Sequence, residues 1–122
     1  MLVFDENDGQ EFTSEFLDSG GNPTAPASVD WSLHCLSTKK VLQDWTALPV
    51  QSRVDTSGRT VYYVAGTIGG PLLAIQQDRN SRELKQLQVV ANRGQDGQYS
   101  NTTQFYIRNI KYRSDGRTEG KS

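Results

Sequence analysis

The sequence predicts an all-β protein: an immunoglobulin-like antiparallel β-sandwich of about seven strands. Three observations carry that prediction. The stretch from Leu84 to Ile110, LKQLQVVANRGQDGQYSNTTQFYIRNI, reads as two strands joined by a polar loop. In its first arm Leu87, Val89 and Ala91 share one face, with Gln86, Gln88 and Asn92 among those opposite. In its second arm Phe105 and Ile107 share a face, with Gln104, Tyr106 and Arg108 opposite. That is the period of two of a half-buried strand. Further short segments of this kind recur, separated roughly every ten residues by turn residues, as in a sandwich. Finally, there is no heptad, no long amphipathic helix and no internal repeat, and the strand order suits a Greek key.

Met1 to Phe4 is a short apolar run ahead of a polar turn, Asp5 to Gly9, so residues 1–9 read as an N-terminal arm and 10–112 as the sandwich. Glu11 to Leu17 holds Phe12, Ser14 and Phe16 on one parity and opens the sheet. Asp18 to Pro23 is a turn, where glycine reaches positive φ and proline fixes its own. Thr24 to Ala27, with Pro26, belongs at an edge because proline cannot donate to a ladder. In Ser28 to Leu36, Val29, Trp31, Leu33 and Cys35 alternate with polar residues and are assigned to the core. Ser37 to Lys40 is a turn, and Val41 to Trp45 a third strand with Val41 and Trp45 on one parity. Trp31 and Trp45 are read as the large core residues, each able to bury roughly 150–250 Å².

Leu48 to Val54 is weakly patterned and broken by Pro49, and Asp55 to Gly58 is a turn. Arg59 to Thr67 is rich in β-branched and aromatic residues and is a strand. Leu72 to Arg79 fits a strand or a short helical turn, and the helix is the expectation. After Tyr112 the apolar residues end, so residues 113–122 read as a disordered tail. The centre of the expected core is Trp31, Leu33, Leu87, Val89, Phe105 and Ile107.

The totals bound the function. At 122 residues the chain is one domain, able to bury a core without metals or disulfides. With 13 basic and 14 acidic residues its formal charge is −1, which gives no electrostatic reason to expect nucleic acid or a membrane as partner. The single cysteine, Cys35, excludes an intramolecular disulfide and fits a reducing compartment. The start MLVFDENDGQ has neither the basic opening nor the apolar length of a signal peptide or membrane span, so synthesis in a cytoplasm is expected.

No catalytic constellation emerges, and a non-enzymatic protein is expected. His34 and Cys35 are neighbours on one strand, so their side chains point to opposite faces and cannot act as a pair or chelate one metal. A serine triad needs a histidine in a suitable setting, and His34 lacks one. Asp5 to Glu11 has the acids of a calcium loop but not its spacing, so a solvated acidic turn is the default. No phosphate-binding loop is present. No cofactor or metal is expected. Of Tyr62, Tyr63, Tyr99, Tyr106 and Tyr112 some must face outwards, which suits either ordinary sheet surface or a sugar- or protein-binding face. Asn101-Thr102-Thr103 matches a glycosylation sequon, of little meaning without a secretory signal.

The runs VDWSLHC, VLQDWTAL, RELKQLQVVANRG and TTQFYIRNI resemble small immunoglobulin-like proteins encoded in the structural gene regions of tailed bacteriophages. The resemblance rests on the Trp31 strand after a Pro-rich turn, Asp44-Trp45-Thr46, Arg82-Glu83-Leu84 and Tyr106 to Ile110, and covers Asn22 to Ile110. The N-terminal start and the charged tail depart from the pattern. The resemblance implies a virion structural protein, made in the host cytoplasm and incorporated in the particle. Capsid decoration, bridging copies of the major capsid protein, is the first expectation. A neck, tail or fibre component, or a host-surface carbohydrate-binding or adhesion module, is the alternative. The elements expected to bind other virion proteins, or a second copy, are first Leu2, Val3 and Phe4 of the arm, then Arg93, Gln95 and Asp96 of the loop from Arg93 to Gln98, and the tail after Tyr112. The competing reading of the arm is that it adds a strand to its own sheet.

Overall fold

The computed structural model describes residues 2–112. In chain order its strands are β1 (Leu2–Asp5), β2 (Gln10–Glu15), β3 (Val29–Cys35), β4 (Lys40–Ala47), β5 (Gln51–Val54), β6 (Thr60–Ile68), β7 (Arg82–Ala91) and β8 (Tyr99–Arg108). They form a five-stranded sheet, β1-β8-β7-β3-β4, and a three-stranded sheet, β2-β6-β5. Hairpins join β3 to β4, β5 to β6 and β7 to β8; the chain changes sheet between β1 and β2, β2 and β3, β4 and β5, and β6 and β7. This is an immunoglobulin-like β-sandwich. The expected tail at residues 113–122 lies outside the described residues.

The alternation of β3 and β7 builds the core. Val29, Trp31, Leu33 and Cys35 are buried, and Trp31 faces Val89 while Leu33 faces Leu87 across the ladder. Phe105 and Ile107 of β8 and Val64 and Ile68 of β6 complete the buried cluster with Phe16 and Leu73. Phe12 of β2 reaches across the gap, its ring 5.4 Å from that of Trp31. Each fully buried side chain of this kind contributes about 1.5–3 kcal/mol.

Four expectations need correction. The N-terminal segment is not a free arm: β1 pairs with β8 in parallel, Leu2 opposite Phe105 and Phe4 opposite Ile107. It supplies the eighth strand and the one parallel pairing among the described strands. Trp45 is not a core residue. Val41 and Trp45 do share a parity, but so does Gln43, which lies opposite buried Leu33 while Val41 lies opposite half-buried His34, so parity does not carry along β4. Trp45 is half-buried outside the core cluster, with the Arg93 guanidinium over its ring. Two register shifts let β4 spend extra residues against β3, between Thr46 and Gln43 and again between Gln43 and Val41. The Asp44 carboxylate accepts from the Trp45 N–H at 2.8 Å and stabilises the first of these bulges.

The helical turn expected over Leu72 to Arg79 is a 3₁₀ turn over Gly70–Leu73, opened by Pro71 and closed on buried Leu73. Proline is well placed there, because its missing N–H lies where the helix has no acceptor for it. The weakly patterned stretch after Pro49 holds a strand, β5, which is exposed along its whole length and therefore shows no alternation.

Candidate functional site

β8 pairs with β7 over all of Tyr99–Arg108, but β1 covers only Phe105 to Arg108 on its other side. Tyr99 through Gln104 thus form an open sheet edge among the described residues, and all six are exposed. The residues are Tyr-Ser-Asn-Thr-Thr-Gln, without charge, proline or glycine. The other edges are guarded. β4 carries Lys40, Asp44 and its bulges; β5 is four residues long and holds Arg53; β2 carries Glu11 and Glu15. Charge, brevity and bulges are the devices that keep edges from pairing with foreign strands. The free half of β8 has none of them.

Beside this edge an apolar cleft of about 150 Å³ opens between the sheets. Leu2, Phe4, Phe12, Ile68 and Leu87 wall it, and Asn101 and Thr103 of β8 form its lip. Its size matches apolar cavities of about 150 Å³ that admit a benzene ring. Gly66 of β6 sits opposite Phe12, whose ring lies where a Cβ would be, so only glycine lets that ring stack down into the wall. A strand laid along Tyr99 to Gln104, in line with β1, would turn every second side chain into this cleft.

Of the residues the sequence proposed for binding, Leu2 is 59% exposed and lines the cleft. Phe4 packs edge-on against Phe105, centroids 5.5 Å apart, and Val3 faces out opposite Tyr106. The second set lies elsewhere. Phe105, where β1 begins, is six residues along β8 from Tyr99, which follows the loop, about 20 Å at strand spacing. Arg93 is occupied: its guanidinium lies over Trp45 and 3.6 Å from Asp30. Gln95 and Asp96 are exposed in the loop, and the Gln95 N–H closes a turn onto the Asn92 carbonyl. The structure does not bring the two sets together. Asn101 and Thr103 drew attention only as part of a glycosylation sequon, because short neutral polar residues carry no signature of an open edge until pairing shows it.

A second feature was hidden in the sequence. Glu83 and Lys85 share the parity of Leu87, Val89 and Ala91 and are fully buried at the end of the core. The Glu83 carboxylate accepts from the N–H groups of Gln76 and Gln77, from Asn80 Nδ2 and, at 3.2 Å, from Lys85 Nζ. Lys85 also donates to the Ala74 carbonyl. Burial pushes the Glu83 carboxyl up, but those hydrogen bonds outweigh it and hold it below the ordinary carboxylate range. The pair gathers the β6–β7 connection around one carboxylate. Asn109, also buried, ties the same connection to the end of β8 through the Asp78 and Asn80 carbonyls.

Cys35 is buried and His34 half-buried on the opposite face, as their adjacency requires. No group of three His, Cys, Asp or Glu residues able to hold a metal ion occurs among the described residues. Comparison with protein-family models, curated proteins and solved structures finds no match to this chain.

Proposed function

We propose that this protein is a non-enzymatic virion structural protein that decorates a capsid, gripping neighbouring capsid subunits by strand addition at Tyr99 to Gln104 of β8. The observation that supports the grip is the uncharged, unguarded edge beside an apolar cleft. Edge pairing supplies backbone hydrogen bonds, and pockets for alternate side chains supply selectivity. The virion setting comes from the sequence resemblance, and so do the host cytoplasm as the place of synthesis and the major capsid protein as partner. Attachment to the neck, tail or a fibre uses the same edge and differs in copy number. The carbohydrate-binding alternative has less support. Arg53 covers the Tyr63 ring, Arg82 covers Tyr106 at 4.2 Å, and Tyr99 leans on Phe16, so these rings are not bare stacking platforms.

Mass spectrometry of purified particles tests the setting. Copy numbers in the hundreds mean decoration, and about a dozen or fewer mean neck or tail. Thr103→Arg tests the grip by placing a charge at the lip of the cleft. The expected result is an unchanged fold with particle binding lost. Undiminished binding by that variant would remove β8 as the contact.

A further inference from the structure

The outer face of the five-stranded sheet carries a second concavity, unconnected with the cleft between the sheets. It is an open groove of about 380 Å³ lined by His34, Leu36, Lys39, Lys40, Gln86 and Gln88, with Cys35 at its floor. No acidic residue lines it. Neither Lys39 nor Lys40 has an ion-pair partner among the described residues.

One buried polar side-chain atom without a hydrogen bond belongs to a residue of the groove's lining. Among the described residues the side-chain atoms in that state are Ser32 Oγ, His34 Nδ1 and Thr38 Oγ1. His34 lines the groove and lies opposite Gln86, Ser32 lies opposite Gln88, and Thr38 adjoins Lys39. Ser32 is 1% exposed and lies outside the lining, so its hydroxyl is closed to a ligand in the groove. Gln104 donates to Gln86 Oε1 at 2.9 Å, which leaves the nitrogen end of that amide as the part able to donate outward.

The Lys39 and Lys40 ammonium groups, with the Gln86 and Gln88 amides beside them, make the groove a donor surface. Their natural complement is an acceptor-only group with negative charge, which is a carboxylate. At about 380 Å³ the open groove has room for several side chains rather than one small ion. We propose that this groove binds an acidic segment of a partner protein, carboxylates meeting Lys39 and Lys40 with the Gln86 and Gln88 amides beside them. The assignment does not rest on the virion reading, since it uses a different face and different chemistry.

The test is a titration of the ¹⁵N-labelled protein with an acetylated oligoglutamate peptide, with its oligoglutamine counterpart and with inorganic phosphate. The expected result is saturable amide shifts confined to His34 through Lys40, Gln86 and Gln88, for oligoglutamate alone and weakened by added salt. The Lys39→Gly/Lys40→Gln variant should lose affinity about tenfold. Glycine accepts the positive φ of Lys39, 60°, so the turn survives. Arg53→Gln, on the other sheet, removes one positive charge away from the groove and should leave affinity unchanged. Absent shifts, equal saturation by phosphate, or equal weakening by Arg53→Gln would each overturn the proposal. Concentration-dependent shifts of the same amides without peptide would also overturn it, because the occupant would then be a second copy.

Discussion

The Arg93 guanidinium lies over the face of Trp45, 4.8 Å from the ring centroid, on the outside of the five-stranded sheet. The contact joins the end of β7 to the bulged edge strand β4, and Asp30 of β3 completes it from below. It assigns Arg93 a structural role and gives the second tryptophan a surface position. Trp31→Ala should cost about 3–5 kcal/mol, through lost burial and the cavity left behind. Trp45→Ala removes a half-buried ring and one cation–π contact and should cost only about 1–2 kcal/mol. Chemical denaturation of the two variants measures both. Equal losses would return Trp45 to the core.

The Glu83–Lys85 pair predicts a large asymmetry between single and double substitutions. Glu83→Ala leaves the Lys85 ammonium buried without a counter-charge, held only by the Ala74 carbonyl, and releases the N–H groups of Gln76 and Gln77, a loss of about 3–5 kcal/mol. Lys85→Met leaves the carboxylate its donors Gln76, Gln77, Asn80 and Cys35 and should cost less. The Glu83→Leu/Lys85→Met double variant should be more stable than the sum of the single losses implies, because neither charge is left buried alone. A strictly additive double variant would mean that the two groups act independently.

The same carboxylate predicts the acid side of the stability profile. A carboxyl held below its ordinary value stabilises the fold above the unfolded value of 4.5, and that stability is lost as pH falls through the folded one. Asp55 acts in the same sense. Its carboxylate accepts hydrogen bonds from the Ser57 hydroxyl and the Arg59 N–H, which outweigh burial and lower it from 3.8 to about 2. The melting temperature should therefore be flat above about pH 5 with respect to these two groups and fall below it. In Asp55→Asn the part of the fall between pH 3.8 and about 2 should be smaller. An unchanged acid slope in that variant would show that the turn geometry is not carried into solution.

How much of this was legible depends on local regularity. The core faces of β3, β7 and β8 follow from alternation, and Trp31, Leu33, Leu87, Val89, Phe105 and Ile107 are all buried as that pattern requires. The pattern fails at β4 because bulges are invisible to parity counting, and the face assigned to Trp45 inverts with it. It fails at Glu83 and Lys85 because charged residues read as the end of a buried run, although each is fully covered. β1 is four residues long, too short for alternation to declare a partner strand. Of the candidate site, Leu2 and Phe4 were visible as unplaced apolar residues. The edge and cleft they adjoin exist only once β1 stops short on β8.

That incomplete coverage makes truncation the most informative experiment. Had residues 1–4 formed a free arm, deleting them would leave the melting temperature unchanged. Paired as they are, deletion removes the Phe4–Phe105 contact and the ladder from Leu2 to Phe4, a loss of about 1–3 kcal/mol. Asp5 stays in the chain and keeps its 2.8 Å ion pair with Arg108, so the turn into β2 remains anchored. Deletion has a second consequence that a simple loss of packing does not. It uncovers the rest of β8, extending the open edge beyond Gln104 as far as the residues that face Asp5, and it bares the apolar cleft. An edge of that length without bulges is a template for pairing. The truncated protein should therefore be both less stable and self-associating, seen as a concentration-dependent mass in light scattering. Thr103→Arg in the same truncated background should restore the monomer without restoring the lost stability. A truncated protein that remains monomeric at high concentration would show that the β8 edge does not accept strands, and would remove the premise of attachment through it.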